Sequence, residues 1–207
     1  MNPTENFVTQ HCRIRQNSIS ANGELIFQTR DVHFQDFADS CYRHFELGYP
    51  KFHKMDNLSK LGLLATDILL NNMQLSKKYA PYQIGVILSN RNSSLDTDIK
   101  YYNMVKKGVA SPAVFVYSLP NIVIGEICIK QGIKGESTFF ISDQYNIPQQ
   151  VNYVNHLLET KVLDACICGW VELIEESYEA FFYLVEKNGG AGNKKHTTQQ
   201  IEELYNK

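Results

Sequence analysis

Residues 111–145, SPAVFVYSLPNIVIGEICIKQGIKGESTFFISDQY, decide the fold, because they combine a helical pattern, a glycine-rich turn and a short strand pattern. Apolar residues recur there at mostly helical spacing: Val116, Leu119, Ile122, Val123, Ile127 and Ile129. Gly132 and Gly135 then end the helical pattern. The β-branched and aromatic run that follows is too short for a helix and predicts a strand: Ser137, Thr138, Phe139, Phe140, Ile141 and Ser142.

The residues before this stretch predict a hairpin, a helix and a buried strand. Two short β-like runs, residues 12–19 and 25–29, are joined by Ala21-Asn22-Gly23, and Asn-Gly between such runs is a strong hairpin signal. From Asp56 onward, apolar residues at helical spacing predict an amphipathic helix: Leu58, Leu61, Leu64, Ala65, Ile68 and Leu69. Residues 82–88 are nearly all apolar, as expected for a strand in the middle of a sheet.

Further elements lie on both sides of the central stretch. Residues 95–106 predict a helix with Ile99, Tyr102 and Val105 facing inward. Pro148 fits the first turn of another helix, whose inner stripe is Val151, Val154, Leu157 and Leu158. Strand patterns follow at residues 163–168 and 180–186. This order predicts an α/β fold in which helices cover both faces of a mixed sheet.

Composition limits the classes of function. The chain has 207 residues, 43% of them hydrophobic, which is enough for one sizeable core. Its 20 basic residues are scattered among 22 acidic ones, so we expect no binding to nucleic acid or anionic lipid. The N-terminus, MNPTENFVTQHCRIRQ, lacks the apolar segment of a signal peptide, and no stretch reaches the roughly 20 apolar residues that span a bilayer. We expect a cytoplasmic protein without a membrane segment.

Domain organisation follows from one composition shift near the C-terminus. Residues 1–187 carry all the strong strand and helix patterns, and we expect them to form one domain. Residues 188–207 begin with the glycine-rich segment NGGAGNKK, and Thr197-Thr198-Gln199-Gln200 then offers a capping box for a short helix. We expect this C-terminal tail to be mobile.

The cysteines and histidines predict no metal site and no cofactor. Five cysteines at irregular spacing do not fit a disulfide framework, so we expect them to be reduced. Cys166 and Cys168 share one face of a predicted strand, and a pair of buried thiols is favoured there over a metal or redox pair. His33, His44 and His53 are too far apart in the sequence to match a compact ligand motif.

The motif SPxxxxxSLPNxxxGxIxIKxGIKG, residues 111–135, resembles a passage that precedes the catalytic cysteine of β-ketoacyl synthases in the thiolase superfamily. Four further segments of this sequence resemble segments of the same family. They are Lys54-Met55-Asp56 with the leucines that follow it, IGVILSN from Ile84, LDACICG from Leu163 and AFFYLVE from Ala180. The resemblance covers roughly residues 50–187. It implies one half of a thiolase-like fold, with a mixed and mostly five-stranded sheet layered with helices. In the resembling enzymes the active site lies between two such halves, and we expect this sequence to correspond to the first.

The resemblance places Gln144 at the family's nucleophile position, by alignment on Gly135. Condensation requires a thiolate, and a glutamine amide has no comparable nucleophilicity at neutral pH. Pro148 should also move the helix start beyond Gln144, away from the favourable helix N-terminus. We expect no counterparts of the second-half histidines, asparagine and lysine, and therefore assign no catalytic residue. Chain-length factors of type II polyketide synthases carry glutamine at this position, and the alternative is that Gln144 is drift at a disused site.

The resemblance also implies a dimer interface at the strand before the nucleophile position, formed by Ser137, Thr138, Phe139, Phe140, Ile141 and Ser142. Alternation puts Phe140 on one face of this strand and Phe139 with Ile141 on the other. An unpaired edge of this composition would be prone to aggregation, so we expect it to pair with a second copy or with a full-length ketosynthase. The alternative is that neighbouring helices cover it within a monomer.

Three functions follow from these observations. The first is a non-catalytic ketosynthase-like subunit that pairs with a ketosynthase in fatty-acid, aryl-polyene or polyketide-type synthesis, as chain-length factors do. The second is a self-associating scaffold that binds an acyl chain or an acyl carrier protein. The third is an enzyme of unrelated chemistry, for which Asp143, His156 and Cys166 are the candidate residues.

Overall fold

The computed structural model describes residues 5–30, 32–71, 73–187, 189–190 and 192–207. These residues form a mixed sheet of eight strands with helices on both faces. The strands are β1 (Phe7–Arg15), β2 (Ser18–Ala21), β3 (Glu24–Gln28), β4 (Ile84–Asn90), β5 (Ser137–Ile141), β6 (Ala165–Ile174), β7 (Ser177–Glu186) and β8 (Lys194–Lys195). The helices are α1 (Phe34–His44), α2 (Asn57–Leu70), α3 (Leu75–Lys78), α4 (Leu95–Lys106), α5 (Pro112–Val116), α6 (Ile122–Gln131), α7 (Ile147–Glu159) and α8 (Thr198–Tyr205).

The strand order is β3-β2-β1-β7-β6-β4-β5. Strand β8 pairs with the first two residues of β1, Phe7 and Val8. β4 runs parallel to its neighbours β5 and β6, whereas β7 is antiparallel to both β6 and β1. The expected α/β class with a mixed sheet is therefore confirmed. The sheet is wider than the expected five strands, because β2, β3 and β8 extend it beyond β1.

The N-terminal part of the sheet contains two tight turns, whereas the sequence predicted a single turn. Asn22 and Gly23 join β2 to β3 with positive φ angles of 51° and 88°, as the hairpin signal predicted. Gln16 and Asn17 form a second turn, with φ angles of 49° and 58°, and this turn joins β1 to β2. The predicted single run over residues 12–19 is therefore two strands. The second turn lacks glycine, so its sequence signal is weaker than that of Asn-Gly.

The first core is formed by one face of the sheet and by helices α1, α2 and α6, and α2 is its central helix. Helix α2 begins where the sequence predicted, because Asp56 caps it by accepting a hydrogen bond from the backbone N–H of Ser59 at 3.0 Å. Twelve of its fourteen residues are buried, so the expected amphipathic helix has almost no solvent-exposed face. The sheet covers one side of α2, and α1 and α6 cover the other.

The helical pattern of residues 116–129 corresponds to two helices, α5 and α6, and not to one. Pro120 lies between them and lacks the backbone N–H that a continuous helix needs. Val123 and Ile127 are buried as a helical stripe should be, whereas Val116, Leu119 and Ile129 are exposed. Helix α6 ends at Gly132, which adopts the left-handed conformation with φ 70°, as the glycine signal predicted.

Helix α4 is rotated relative to its predicted orientation. Ile99, Tyr102 and Val105 were expected to face inward, but all three are exposed, and that prediction is wrong. The buried residue of α4 is Thr97, whose hydroxyl donates to a carboxylate oxygen of Asp56 at 2.8 Å. This hydrogen bond ties the inner face of α4 to the beginning of α2, and it turns the apolar side chains outward.

The second core lies on the other face of the sheet, between the sheet and helices α7 and α8. The predicted stripe of α7 is confirmed, because all four of its members are buried: Val151, Val154, Leu157 and Leu158. Cys166 and Cys168 are both buried in this core, on one face of β6 as expected. None of the described helices is long and apolar enough to cross a membrane.

The C-terminal helix α8 packs on the second core, whereas the sequence predicted a mobile tail. Ile201 and Leu204 are buried there. The Arg13 guanidinium donates to the backbone carbonyl of Leu204 at 3.3 Å and to that of Tyr205, so it satisfies carbonyls at the end of the helix. The boundary at residue 187 between a main domain and a C-terminal segment stays a prediction.

We predict opposite effects on stability for two helix glycines. A Cβ at Gly62 in α2 would overlap the Cγ2 methyl of Val123 in α6, whereas a Cβ at Gly125 in α6 meets nothing within 4 Å. Gly62→Ala should therefore lower the free energy of unfolding by about 1–3 kcal/mol through overpacking. The matched control Gly125→Ala should raise it by about 0.5–1 kcal/mol through helix propensity. Urea denaturation measures both, and equal effects of the two substitutions would contradict the close packing of α2 on α6.

Candidate functional site

Strand β5 is an edge strand of the sheet, and among the described strands it pairs with β4 alone. The register runs from Val86 opposite Ser137 to Asn90 opposite Ile141. The backbone N–H of Val86 donates to the carbonyl of Glu136, and at the other end the N–H of Ser142 donates to the carbonyl of Asn90, both at 3.0 Å.

These two hydrogen bonds determine which backbone groups of β5 are free. A strand directs the N–H and C=O groups of alternate residues toward the same neighbour. Glu136 and Ser142 face β4, so Thr138 and Phe140 face it as well. The backbone groups of Ser137, Phe139 and Ile141 consequently point away from the sheet.

The side chains of β5 alternate between the two cores. Phe140 packs against the second core, with its ring edge-on to that of Tyr153 at 5.5 Å. Phe139 packs against the first core, as the predicted alternation requires. Ser137 and Ile141 are exposed at the two ends of the strand, with 51% of Ile141 accessible to solvent.

The segment has little to prevent pairing with another chain. It contains no proline, and its one charged residue, Glu136, is held on the α7 side by hydrogen bonds from Thr138 and Tyr153 at 2.9 and 3.1 Å. Natural proteins usually protect an open edge with lysine, proline, a bulge or a covering loop. The described residues therefore leave β5 as an edge that is competent to pair.

Gln144 lies in the exposed turn between β5 and α7. Its backbone carbonyl accepts a hydrogen bond from the Ser142 hydroxyl at 2.7 Å. Helix α7 is capped by Asn146, whose side chain accepts from the N–H of Gln149 at 3.2 Å, and Pro148 occupies its first turn. The helix thus begins beyond Gln144, as the proline predicted, and Gln144 is two residues away from the cap.

The residue after Gln144 is anchored in the second core. Tyr145 is buried, with its ring 5.6 Å from that of Trp170 and 5.2 Å from that of Tyr205 on α8. Its hydroxyl donates to the side-chain carbonyl of Gln150. Burial raises the pKa of Tyr145 well above its usual value, so the phenol stays protonated.

Gln150 connects this anchor to the sheet. Its amide group donates to the backbone carbonyls of Ile87 on β4 and Gly169 on β6, at 3.0 and 3.2 Å. The hydroxyl of Tyr183 donates to the same Gln150 oxygen at 3.1 Å. Sequence reasoning missed this network, although its signal was present: Gln150 is a polar residue within the apolar stripe of α7.

The structure does not bring together the residues of the alternative enzyme hypothesis. Asp143 lies before the first residue of α7, whereas His156 lies in its last turn, about 14 Å along the helix from Ile147. Both are exposed, whereas Cys166 is buried in the second core. Burial raises the thiol pKa to about 12 at Cys12 and to about 11 at Cys128, so neither is a thiolate at neutral pH.

Gln144 does not line either of two pockets of the described residues. One pocket of about 440 Å³ is lined by Asn71 and Lys130, and a second, more open one by Arg15 and Glu176. Within the part of the chain that the structure describes, no three His, Cys, Asp or Glu side chains converge as metal ligands.

We predict that a cysteine at position 144 is not activated. Gln144→Cys would place a thiol in an exposed turn outside the helix, so its pKa should stay near the ordinary value of about 8.5. The matched control Asn146→Cys would place a thiol at the helix cap, where its pKa should be lower. The pH dependence of iodoacetamide labelling measures both, against native cysteines that are buried or half-buried. A lower pKa at position 144 than at position 146 would contradict the described helix start.

No protein-family model matches the sequence, and no curated protein matches it. The fold is similar to that of the ishigamide ketosynthase/chain length factor, with a TM-score of 0.68 and 15% identity over 92% of this chain and 64% of the other. The fold is also similar to that of one chain in a complex of a type II polyketide synthase acyl-carrier protein with its ketosynthase bound to the hexaketide. The TM-score is 0.63, and the identity is 16% over 98% of this chain and 65% of the other.

A third similar structure is a ketosynthase in complex with its chain length factor from Xenorhabdus doucetiae, with a TM-score of 0.55 and 13% identity over 90% of this chain and 80% of the other. The chain spans less than two thirds of the length of the first two structures. At these identities the similarity concerns the fold. The described residues therefore have the thiolase-like fold of ketosynthases and chain length factors.

Proposed function

We propose that this chain is a ketosynthase-like subunit without condensing activity, and that it pairs with a ketosynthase through the open edge of β5. The biosynthesis it serves would be of the fatty-acid, aryl-polyene or polyketide type. The observation that carries the proposal is the free row of backbone groups at Ser137, Phe139 and Ile141, on a strand without protective residues.

The absence of condensing activity is supported by the surroundings of Gln144. The side chain there is an amide, which cannot accept an acyl group as a thiolate does. The adjacent Tyr145 fills the second core, where a condensing enzyme would need space near its nucleophile. The nearest cysteines along the chain, Cys128 and Cys166, are half-buried and buried.

The choice of partner is supported by two of the similar structures. Both the ishigamide protein and the Xenorhabdus protein are described as a ketosynthase with a chain length factor. The other similar structure holds an acyl-carrier protein with its ketosynthase, which makes a carrier protein a candidate for a further partner of this chain. Pairing across β5 would extend the sheet into that of the partner and satisfy the free backbone groups.

We predict that Ile141→Asp weakens binding to the partner ketosynthase. Ile141 is exposed, so the subunit should stay folded, but the carboxylate would be desolvated at the seam without a cation to pair with. Co-purification of the tagged chain with a ketosynthase from the same genome should show binding for the wild type and a loss of at least about tenfold for the variant. The matched control Ile129→Asp changes a 67% exposed isoleucine on α6, outside β5, and should bind as the wild type does.

A backbone variant tests the same seam without adding charge. Ser137→Pro removes an N–H that points away from β4, so it should weaken the complex and leave the sheet intact. Equal binding by wild type, Ile141→Asp and Ser137→Pro would contradict pairing through β5. Absence of any wild-type complex with that ketosynthase would contradict the proposed partnership.

We also predict that the protein forms no acyl-enzyme. After incubation with an acyl-carrier-protein thioester, intact-mass spectrometry should show the unmodified chain, because all five cysteines are buried or half-buried. A stoichiometric adduct on any cysteine would overturn the non-catalytic assignment. Urea-unfolded protein, whose thiols are accessible, serves as the positive control for acyl transfer.

A further inference from the structure

A cavity of about 440 Å³ lies beside the last turns of α2 and α6. Its other walls come from the residues after α1 and from strands β1 to β3. The volume falls within the range of small-molecule sites. None of the described lining residues belongs to β5 or to the turn at Gln144, so the cavity is separate from the edge that we assign to a ketosynthase.

Three helices end at this cavity. The lining includes the residues that follow α1, the last turn of α2 with its C-cap Asn71, and the last two residues of α6. Each helix C-terminus carries about half a negative charge, and its last carbonyls lack partners within the helix. At α6, the N–H groups of Gly132 and Ile133 both donate to the carbonyl of Cys128, so neither satisfies the last three carbonyls. Three negative helix ends therefore meet at one cavity.

The side chains of the lining add further negative charge. Asp67 on α2 and Glu46 after α1 are two carboxylates, and Lys130 on α6 is the one ammonium group among the described lining residues. Burial lowers the pKa of His11, which also lines the cavity, so its imidazole is neutral at pH 7. Together with the three helix ends, these groups make the described lining electronegative.

Asp67 is the more buried of the two carboxylates, with 11% of its side chain exposed. Lys130 donates to one of its oxygens, and Gln131 donates to the other at 3.0 Å. A carboxylate has about four acceptor positions, so these two contacts leave positions for another donor. Burial raises the pKa of Asp67 although Lys130 and Gln131 oppose the shift. A further cation beside Asp67 would therefore stabilise its charged form.

The wall around these charges is largely apolar. An apolar wall favours a ligand with an apolar body, and the negative charge favours a cation over an anion. A phosphate or a carboxylate would be repelled by both carboxylates and by the three helix ends. The apolar side chains of this wall are Ile26, Phe45, Leu47, Ile68, Leu69 and Met73.

We infer that this cavity binds a primary amine with an apolar body, whose ammonium group lies beside Asp67 and whose body lies against the apolar wall. The cavity shares no described lining residue with β5, so the inference does not depend on the proposed function. Co-purification with a ketosynthase tests that function without an amine present, and the two can therefore fail separately.

Isothermal titration calorimetry with three ligands of one shape tests the inference. At pH 7, 4-phenylbutylamine is a cation, 4-phenylbutanol is neutral and 4-phenylbutyrate is an anion. The amine should bind one site with a dissociation constant below about 1 mM. The alcohol and the acid should bind at least about tenfold more weakly, because neither supplies a positive charge. Absence of amine binding would overturn the inference, and so would equal or tighter binding of the alcohol or the acid.

A charge-neutral variant locates the bound amine. Glu46→Gln removes one carboxylate of the lining at an exposed position, so the chain should stay folded and bind 4-phenylbutylamine about threefold more weakly. The matched control Glu159→Gln removes an exposed carboxylate on α7, on the other face of the sheet, and should bind as the wild type does. Equal affinities of the two variants would overturn the assignment of the amine to this cavity.

Lys130→Met tests the position of the ammonium group. This substitution removes the cation beside Asp67, so the variant should unfold at a lower temperature and regain stability when 4-phenylbutylamine is added. It should also bind the amine at least about threefold more tightly than the wild type. The matched control Lys134→Met removes an exposed cation outside the described lining and should show neither effect.

An anion site would behave in the opposite way. It would bind 4-phenylbutyrate in the wild type and lose that binding in Lys130→Met, and this result would overturn the inference. Weaker amine binding by Lys130→Met than by the wild type would also overturn it, because the ammonium group would then not lie beside Asp67. If Lys130→Met does not fold, the three ligands and the Glu46→Gln variant still decide the outcome.

Discussion

The burial of α2 is the constraint on which the rest of the structure depends. This helix has almost no polar face, so the sheet must cover one side and α6 the other. Gly62 permits the close approach of α6, since any side chain there would overlap Val123. Gly135 then lets the chain pass directly over the backbone of Ile84, which leads it into β5 beside β4. The position of the open edge thus follows from how α2 is enclosed.

Elements with a strong periodic signal could be predicted from the sequence, and elements oriented by single polar contacts could not. The stripes of α2 and α7 and the buried strand β4 were recognisable, because burial of apolar residues alone specifies them. The orientation of α4 depends on individual long-range hydrogen bonds, from the Thr97 hydroxyl to Asp56 and from the Glu175 N–H to Asp96. Periodicity identifies the apolar face of a helix, but it cannot tell whether that face meets the core or a partner.

The same distinction applies to the candidate site: its local features could be predicted from the sequence, and its long-range contacts could not. The β-branched and aromatic run of residues 137–142 predicted the strand, its alternation predicted the two faces, and Pro148 predicted the late start of α7. Which residues of β5 offer free backbone groups depends on its pairing with β4, and this is a non-local property. The network of Tyr145, Gln150 and Tyr183 also escaped sequence reasoning, because its partners come from α7 and from three strands, β4, β6 and β7, that are distant in the sequence.

The turn at Gln144 combines a solvent-exposed side chain with tightly held neighbours. Because the Gln144 side chain is exposed, we expect the fold to place little demand on the residue type at this position. Its neighbours are different: Tyr145 is fixed by three aromatic rings, and Gln150 ties α7 to the carbonyls of β4 and β6. These contacts hold the end of β5 and the start of α7 in place whatever residue occupies position 144. Strand β5 and helix α7 are therefore held by contacts of Tyr145 and Gln150, and not by the side chain at position 144.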